Sequence, residues 1–149
     1  ERIRKGKKKE TREGISYSYR LLLSWLIEEP KLFVQIREWI KPEDFEEGLY
    51  RTVAKELYDQ LDRGDLEPAR IIGHFEEVED QNKVASMFQT SFGSKIENDE
   101  KKKAITDLIL KIKEHSIERQ AGQITDLNEL QKLVQQKKML QGAVNLHIS

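Results

Sequence analysis

Cysteine is absent from this 149-residue chain, and proline occurs only three times. Without cysteine the chain can form neither disulfides nor thiolate metal sites, which fits a reducing compartment. No apolar run approaches the ~20 residues that a membrane-spanning helix needs. The charged first residues also lack the apolar stretch of a signal peptide. We therefore expect a cytoplasmic protein that does not enter a membrane.

Charged residues are abundant by contrast, at 36% of the chain against 37% hydrophobic. This composition suits a helical protein with wide solvated faces. The net charge of −1 hides three blocks. Residues 1–13 hold seven basic and three acidic side chains, residues 42–80 hold four and thirteen, and residues 101–138 hold nine and five. Such blocks favour partners of complementary potential.

The first apolar segment, residues 15–29, predicts a buried helix that Ser16 or Ser18 can cap. Pro30 ends this helix because proline has no amide donor, and it suits the first turn of the next helix, over residues 30–40. Residues 1–14 contain one aliphatic side chain and cannot offset the entropy of ordering. We expect them to form a flexible basic linker, with an arm that binds nucleic acid as the less favoured interpretation.

Further helices complete a predicted bundle over residues 15–97. Apolar steps of three and four give the clearest helix, over residues 49–61, with Gly64 as its C-terminal cap. Pro68 opens a short helix, and another is predicted over residues 80–92. No segment shows the period-two alternation of a half-buried strand. We therefore expect an all-α fold whose bundle contains five or six short helices.

The remaining residues, 98–149, predict a long connecting helix followed by a C-terminal helical hairpin. The apolar stripe of the long helix stops at Ile112 and resumes out of phase at Ile117, so its two halves are expected to face different directions. His115 and Ser116 are therefore the candidate hinge. A capping box formed by Asp126 and Glu129 is predicted to start the last helix. A lone hairpin buries little apolar surface, which favours an interaction site there.

Motifs for catalysis or metal binding are missing from the sequence. The three histidines lie far apart, without an HExxH pattern, so we expect no metal site. There is no GxxxxGK[ST], GxGxxG or GxSxG motif. Acidic runs such as "EDFEE" are interpreted as solvated helix faces, and the aromatic residues Trp25, Phe33, Trp39 and Tyr50 as core. We expect no cofactor and no catalytic residue, and therefore a binding module rather than an enzyme.

Three segments in order, "RLLLSWLIEEPKLFVQI", "EDFEEGLYRTVAKELYDQL" and "DLEPARIIGHF", resemble the C-terminal helicase-binding domain of bacterial DnaG-type primases. The resemblance extends over residues 15–149. It implies a helical bundle joined to a helical hairpin, which docks primase onto the N-terminal domains of the hexameric replicative helicase and modulates both activities. It also implies that this chain alone makes no primers, since only the docking portion is present, and that residues 1–14 belong to the linker from the polymerase domain.

The resemblance places the attachment on the last helix and tail. The implied apolar contacts are Leu127, Leu130, Val134, Met139 and Leu140. The implied polar rim consists of Lys132, Gln135, Gln136 and Lys137. For each of these residues, ordinary packing or solvation is the alternative.

Two other interpretations remain open at this point. The N-terminal domain of the replicative helicase itself has a similar bundle. A helical nucleic-acid-binding domain could use the basic blocks, and its affinity would then fall steeply with salt. The acidic segment 42–80 and the lack of a DNA-reading motif disfavour it. We therefore expect nucleic acid to be bound weakly or not at all by this domain.

Overall fold

The computed structural model describes residues 2–89, 97–122 and 126–143; the side chains of residues 2–13, 137 and 140–143 are outside that description. Within these ranges the chain forms α-helices and two single 3-10 turns, with no strand, so the all-α prediction is confirmed. The helices are α1 (Arg2–Glu28), α2 (Phe33–Ile36), α3 (Leu49–Arg63), α4 (Pro68–Gly73), α5 (Val78–Phe88), α6 (Asn98–Ala121) and α7 (Leu127–Ala143). The 3-10 turns are Pro30–Leu32 and Pro42–Asp44.

The start of α1 differs from the prediction. The helix begins at Arg2 and not at the expected caps Ser16 or Ser18. Lysine, arginine and glutamate are good helix formers, and lengthening an existing helix needs no new nucleation. Ser18 instead donates its hydroxyl hydrogen to the backbone oxygen of Gly14, one turn earlier. The flexibility expected of residues 1–14 stays a prediction.

Proline and glycine set the other helix ends as the sequence predicts. α1 stops at Glu28, two residues before Pro30. Gly64 caps α3 in the left-handed conformation, with φ 70°, where glycine has no steric penalty. Pro68 is the first residue of α4. α5 starts at Val78, two residues before the predicted start, and ends at Phe88, four residues before the predicted end.

The core forms where α1 packs along α5 and α6, with α3 and α4 closing the bundle. Its largest fully buried side chains on α1 and α6 are Tyr19, Leu22, Leu23, Leu26, Ile105, Ile109 and Ile112. Trp25 and Phe33 are buried as predicted, whereas Trp39 and Tyr50 are only half-buried. Among the described residues, no helix combines the length and apolar character needed to cross a membrane.

Candidate protein-interaction surface

The last helix, α7, begins directly after Asp126, the first of the two residues of the predicted capping box. The Asp126 carboxylate accepts a hydrogen bond from the Asn128 amide, with an oxygen to nitrogen distance of 3.0 Å. This bond satisfies one of the amide donors left free at a helix N-terminus. α7 then packs against α6, which makes the two helices the predicted hairpin.

The apolar side chains of α7 are unusually open to solvent. None of its described side chains is fully buried, and Leu130 and Leu133 are half-buried. Half of the large, well-exposed apolar side chains in the described chain lie on this one helix: Leu127 (66%), Val134 (48%) and Met139 (70%). Leu127 and Val134 share one side of the helix, about 20° apart, whereas Met139 lies about 140° from Val134 on another side. Exposed apolar side chains therefore occur on two sides of α7.

A groove of about 350 Å³ runs along α7 itself. It is lined by Leu130, Val134 and Gln135 together with Gln131 and Lys138. The structure therefore brings together two of the implied apolar contacts and one of the implied rim residues. The side chains of Lys137 and Leu140, also implied as contacts, lie outside the described residues.

A second groove, of about 420 Å³, separates α7 from the end of the α2 region. Met139 and the implied rim residues Lys132, Gln135 and Gln136 line it from α7. Its other lining residues are Glu38, Trp39 and Lys113. The sequence interpretation assigned Trp39 to the core, and its side chain does pack against the core cluster while remaining half-buried. Its further position at the edge of this groove was not predicted. The turn after α2 keeps the helical spacing, since the Ile40 amide donates to the Ile36 backbone oxygen and Ile40 is fully buried.

The side of α6 that faces the bundle changes from apolar to polar near its middle. Ser116 is fully buried although the apolar stripe stops at Ile112. Its hydroxyl donates a hydrogen bond to the carboxylate of Asp44, with an oxygen to oxygen distance of 2.7 Å. Asp44 belongs to the 3-10 turn Pro42–Asp44 of the bundle. Asp44 is itself only 3% exposed, and it also accepts hydrogen bonds from the Lys41 amide at 2.8 Å and from the Lys113 ammonium group at 3.2 Å.

These bonds show that the second half of α6 also faces the bundle, through polar side chains, so the expectation that only its first half packs there is wrong. At about 100° per residue, positions 105, 109, 112, 116 and 119 share one helix face. That face meets the bundle over its whole length, since Arg119 donates to the backbone oxygen of Glu43 at 3.1 Å. After Ile112 the contacts of this face with the bundle change from apolar to polar, and the apolar stripe in the sequence therefore stops there. α6 continues unbroken through His115 and Ser116, so the phase gives no reason for a hinge, and motion there stays a prediction.

The second apolar stripe of α6 lies on a different face. Ile117 is buried but is not part of the main core cluster. It shares its side of the helix with Leu110 and Ala121, which are half-buried. Packing of α7 against α6 is what buries such a stripe outside the bundle. The same packing determines which side of α7 faces solvent.

Within the described residues, no three histidine or carboxylate side chains are grouped so that they could hold a metal ion. Comparisons of this chain with protein-family models, with curated proteins and with solved structures found no match.

Proposed function

We propose that this chain is a non-catalytic docking module that attaches a primase to the N-terminal domains of a hexameric replicative helicase. Through that attachment it modulates both activities during DNA replication. The observation that carries the proposal is the exposure of three large apolar side chains on α7: Leu127, Val134 and Met139. The order of helices and the three segments that resemble the primase docking domain name the partner.

The chemistry of α7 suits helix-against-helix recognition. In this mode, apolar anchors spaced along a helix enter a partner groove, and a polar rim surrounds them. Val134 and Leu130 are one turn apart, and both line the groove along α7. Glutamine and lysine side chains border this groove. These rim groups remain solvated and therefore add orientation more than affinity.

The magnitude of the anchor contribution can be estimated. An anchor that becomes fully desolvated at the centre of an interface typically costs ~2 kcal/mol or more when it is truncated. A loss of that size corresponds to a roughly 30-fold weaker complex. Met139 is 70% exposed and Val134 is 48% exposed, so each has solvent-accessible surface that a partner can bury. Their truncation should leave the bundle intact, because neither belongs to the core.

The test is a calorimetric titration of the chain into the purified N-terminal domain of its replicative helicase. We expect saturable binding that Val134→Ser or Met139→Ser weakens by about 30-fold. The matched control is Val78→Ser on α5, which removes an apolar side chain that is equally exposed, at 67%, but distant in sequence from α7. This control should bind like the parent chain.

Two results would contradict the proposal. One is an absence of binding between the parent chain and the helicase domain. The other is equal binding by the α7 variants and the parent. If the chain instead bound single-stranded DNA with an affinity that fell steeply with salt, the nucleic-acid interpretation would replace docking, because phosphate contacts release counterions.

A further inference from the structure

The groove between α7 and Trp39 has walls from both parts of the chain. One wall is α7, with Lys132 and Met139; the other is the segment after α2, with Glu38 and Trp39. Its volume is about 420 Å³. Trp39 is only half-buried there, so its indole presents an apolar surface opposite the exposed side chain of Met139.

The charges that line the groove are unevenly placed. Lys113 is only 18% exposed and directs its ammonium group to Asp44, which neutralises it. Lys132 is exposed and has no ion-pair partner among the described residues. The α7 wall therefore presents a free cation. Glu38, on the opposite wall, is exposed and repels an anion placed beside it.

We propose that this groove is part of the docking surface and receives an amphipathic helix of the helicase partner. That helix directs apolar side chains at Trp39 and Met139 and a carboxylate at Lys132. The inference rests on the proposed function and deepens it, because it assigns part of the partner contact to the bundle as well as to the hairpin. Glu38 sets the orientation of the helix, since the reversed helix would place its carboxylate against a like charge.

Tryptophan is the residue type most often found at the energetic centre of an interface, because it combines a large apolar area with few rotatable bonds. Trp39 also lies at the meeting point of two elements, so a helix seated there contacts both at once. Binding at this groove therefore depends on the position of α7 relative to the bundle, and not on α7 alone.

The same calorimetric titration against the helicase N-terminal domain tests the groove. We expect Trp39→Ala to weaken binding at least tenfold and Lys132→Glu to weaken it in a salt-dependent way. The matched controls are Val34→Ala, an exposed apolar residue on α2 that does not line the groove, and Lys55→Glu, an exposed lysine on α3. Both controls should bind like the parent.

The outcome separates the two proposals. If Val134→Ser weakens binding while Trp39→Ala and Lys132→Glu do not, docking stands and the groove is not part of it. If the parent chain does not bind the helicase domain, both proposals fail. If Trp39→Ala alone weakens binding, the apolar part of the assignment stands and the carboxylate opposite Lys132 is overturned.

Tryptophan fluorescence identifies the occupant independently. The chain has two tryptophans, and Trp25 is buried, so the difference between the parent and Trp39→Phe reports Trp39. Binding of the helicase domain should protect this indole from quenching by acrylamide. Protection that grows with the concentration of the chain alone would assign the groove to a second copy. Quenching that increases after residues 144–149 are removed would assign it to the tail of the chain. Either result overturns the proposal.

Discussion

Replacing Asp44 by alanine should destabilise the fold by about 3 kcal/mol, although the residue is charged and lies in a turn. The carboxylate is 3% exposed and accepts hydrogen bonds from Lys41, Ser116 and Lys113. Its removal leaves a buried hydroxyl, a backbone amide and an ammonium group without their acceptor. Breaking one side of a buried ion pair costs about 3–5 kcal/mol. The lower end applies here because Lys113, at 18% exposure, can regain some water.

Urea unfolding followed by circular dichroism measures this loss. With a slope of about 2 kcal/mol/M, a loss of about 3 kcal/mol moves the midpoint by about 1.5 M urea. The slope itself should not change, since the surface exposed on unfolding is nearly the same. A loss below about 1 kcal/mol would show that water replaces the carboxylate at little cost, as is usual for surface pairs, and would refute the assignment of Asp44 as a buried anchor.

Two companion variants separate the contributions at this site. Lys113→Met removes the ammonium group and keeps most of the side-chain length. The double variant Asp44→Ala/Lys113→Met should lose less stability than the sum of the two single losses, because residues in contact are coupled. Ser116→Ala should cost about 1.5–3 kcal/mol, the value of one hydrogen bond to a charged group. Equal and additive losses would contradict a shared network.

Three further outcomes follow from single contacts and are measured by the same urea titrations. Burial raises the pKa of Tyr58 above its ordinary 10.0, and its hydroxyl donates to the Ile40 backbone oxygen at 2.8 Å. The unfolded chain therefore loses this proton first as pH rises past about 10, so the free energy of unfolding should fall with pH there, and Tyr58→Phe should reduce that fall. Gly64→Ala should cost about 1 kcal/mol because of its positive φ, whereas Gly73→Ala, which has open space and an ordinary φ, should change stability by less than about 0.5 kcal/mol. Ile109→Ala, at a fully buried position, should cost about 2–5 kcal/mol by leaving a cavity.

The sequence predicted the features of this fold that depend on local chemistry. Pro30 and Pro68 cannot continue a helix, and Gly64 accepts the left-handed conformation, so three helix boundaries were readable from single residues. The buried stripe of α6 was readable from spacing alone, because steps of three and four place side chains on one face. The cap at Asp126 was predicted for the same reason, since its hydrogen bond reaches only two residues along the chain.

The features that the sequence did not predict depend on contacts between distant residues. Ser116 and Asp44 are separated by 72 positions, and no local pattern indicates that a buried serine will meet a buried carboxylate. For Trp39 the spacing indicated contact with the core, which the structure shows, but it could not indicate that α7 approaches the same indole across a groove. The start of α1 at Arg2 was missed for the opposite reason, because a helix that is already nucleated can continue into residues that a pattern of buried side chains does not mark.

The exposed anchors of α7 can be traced to the organisation of α6. One face of α6 is used by the bundle along its full length, first through Ile105 to Ile112 and then through Ser116 and Arg119. Its other apolar stripe, around Ile117, is therefore the surface that remains for α7. A helix packed on so narrow a stripe covers one side of itself and leaves the other in solvent. Val134 and Met139 are thus both left exposed by this packing, and the proposed helicase partner would cover them.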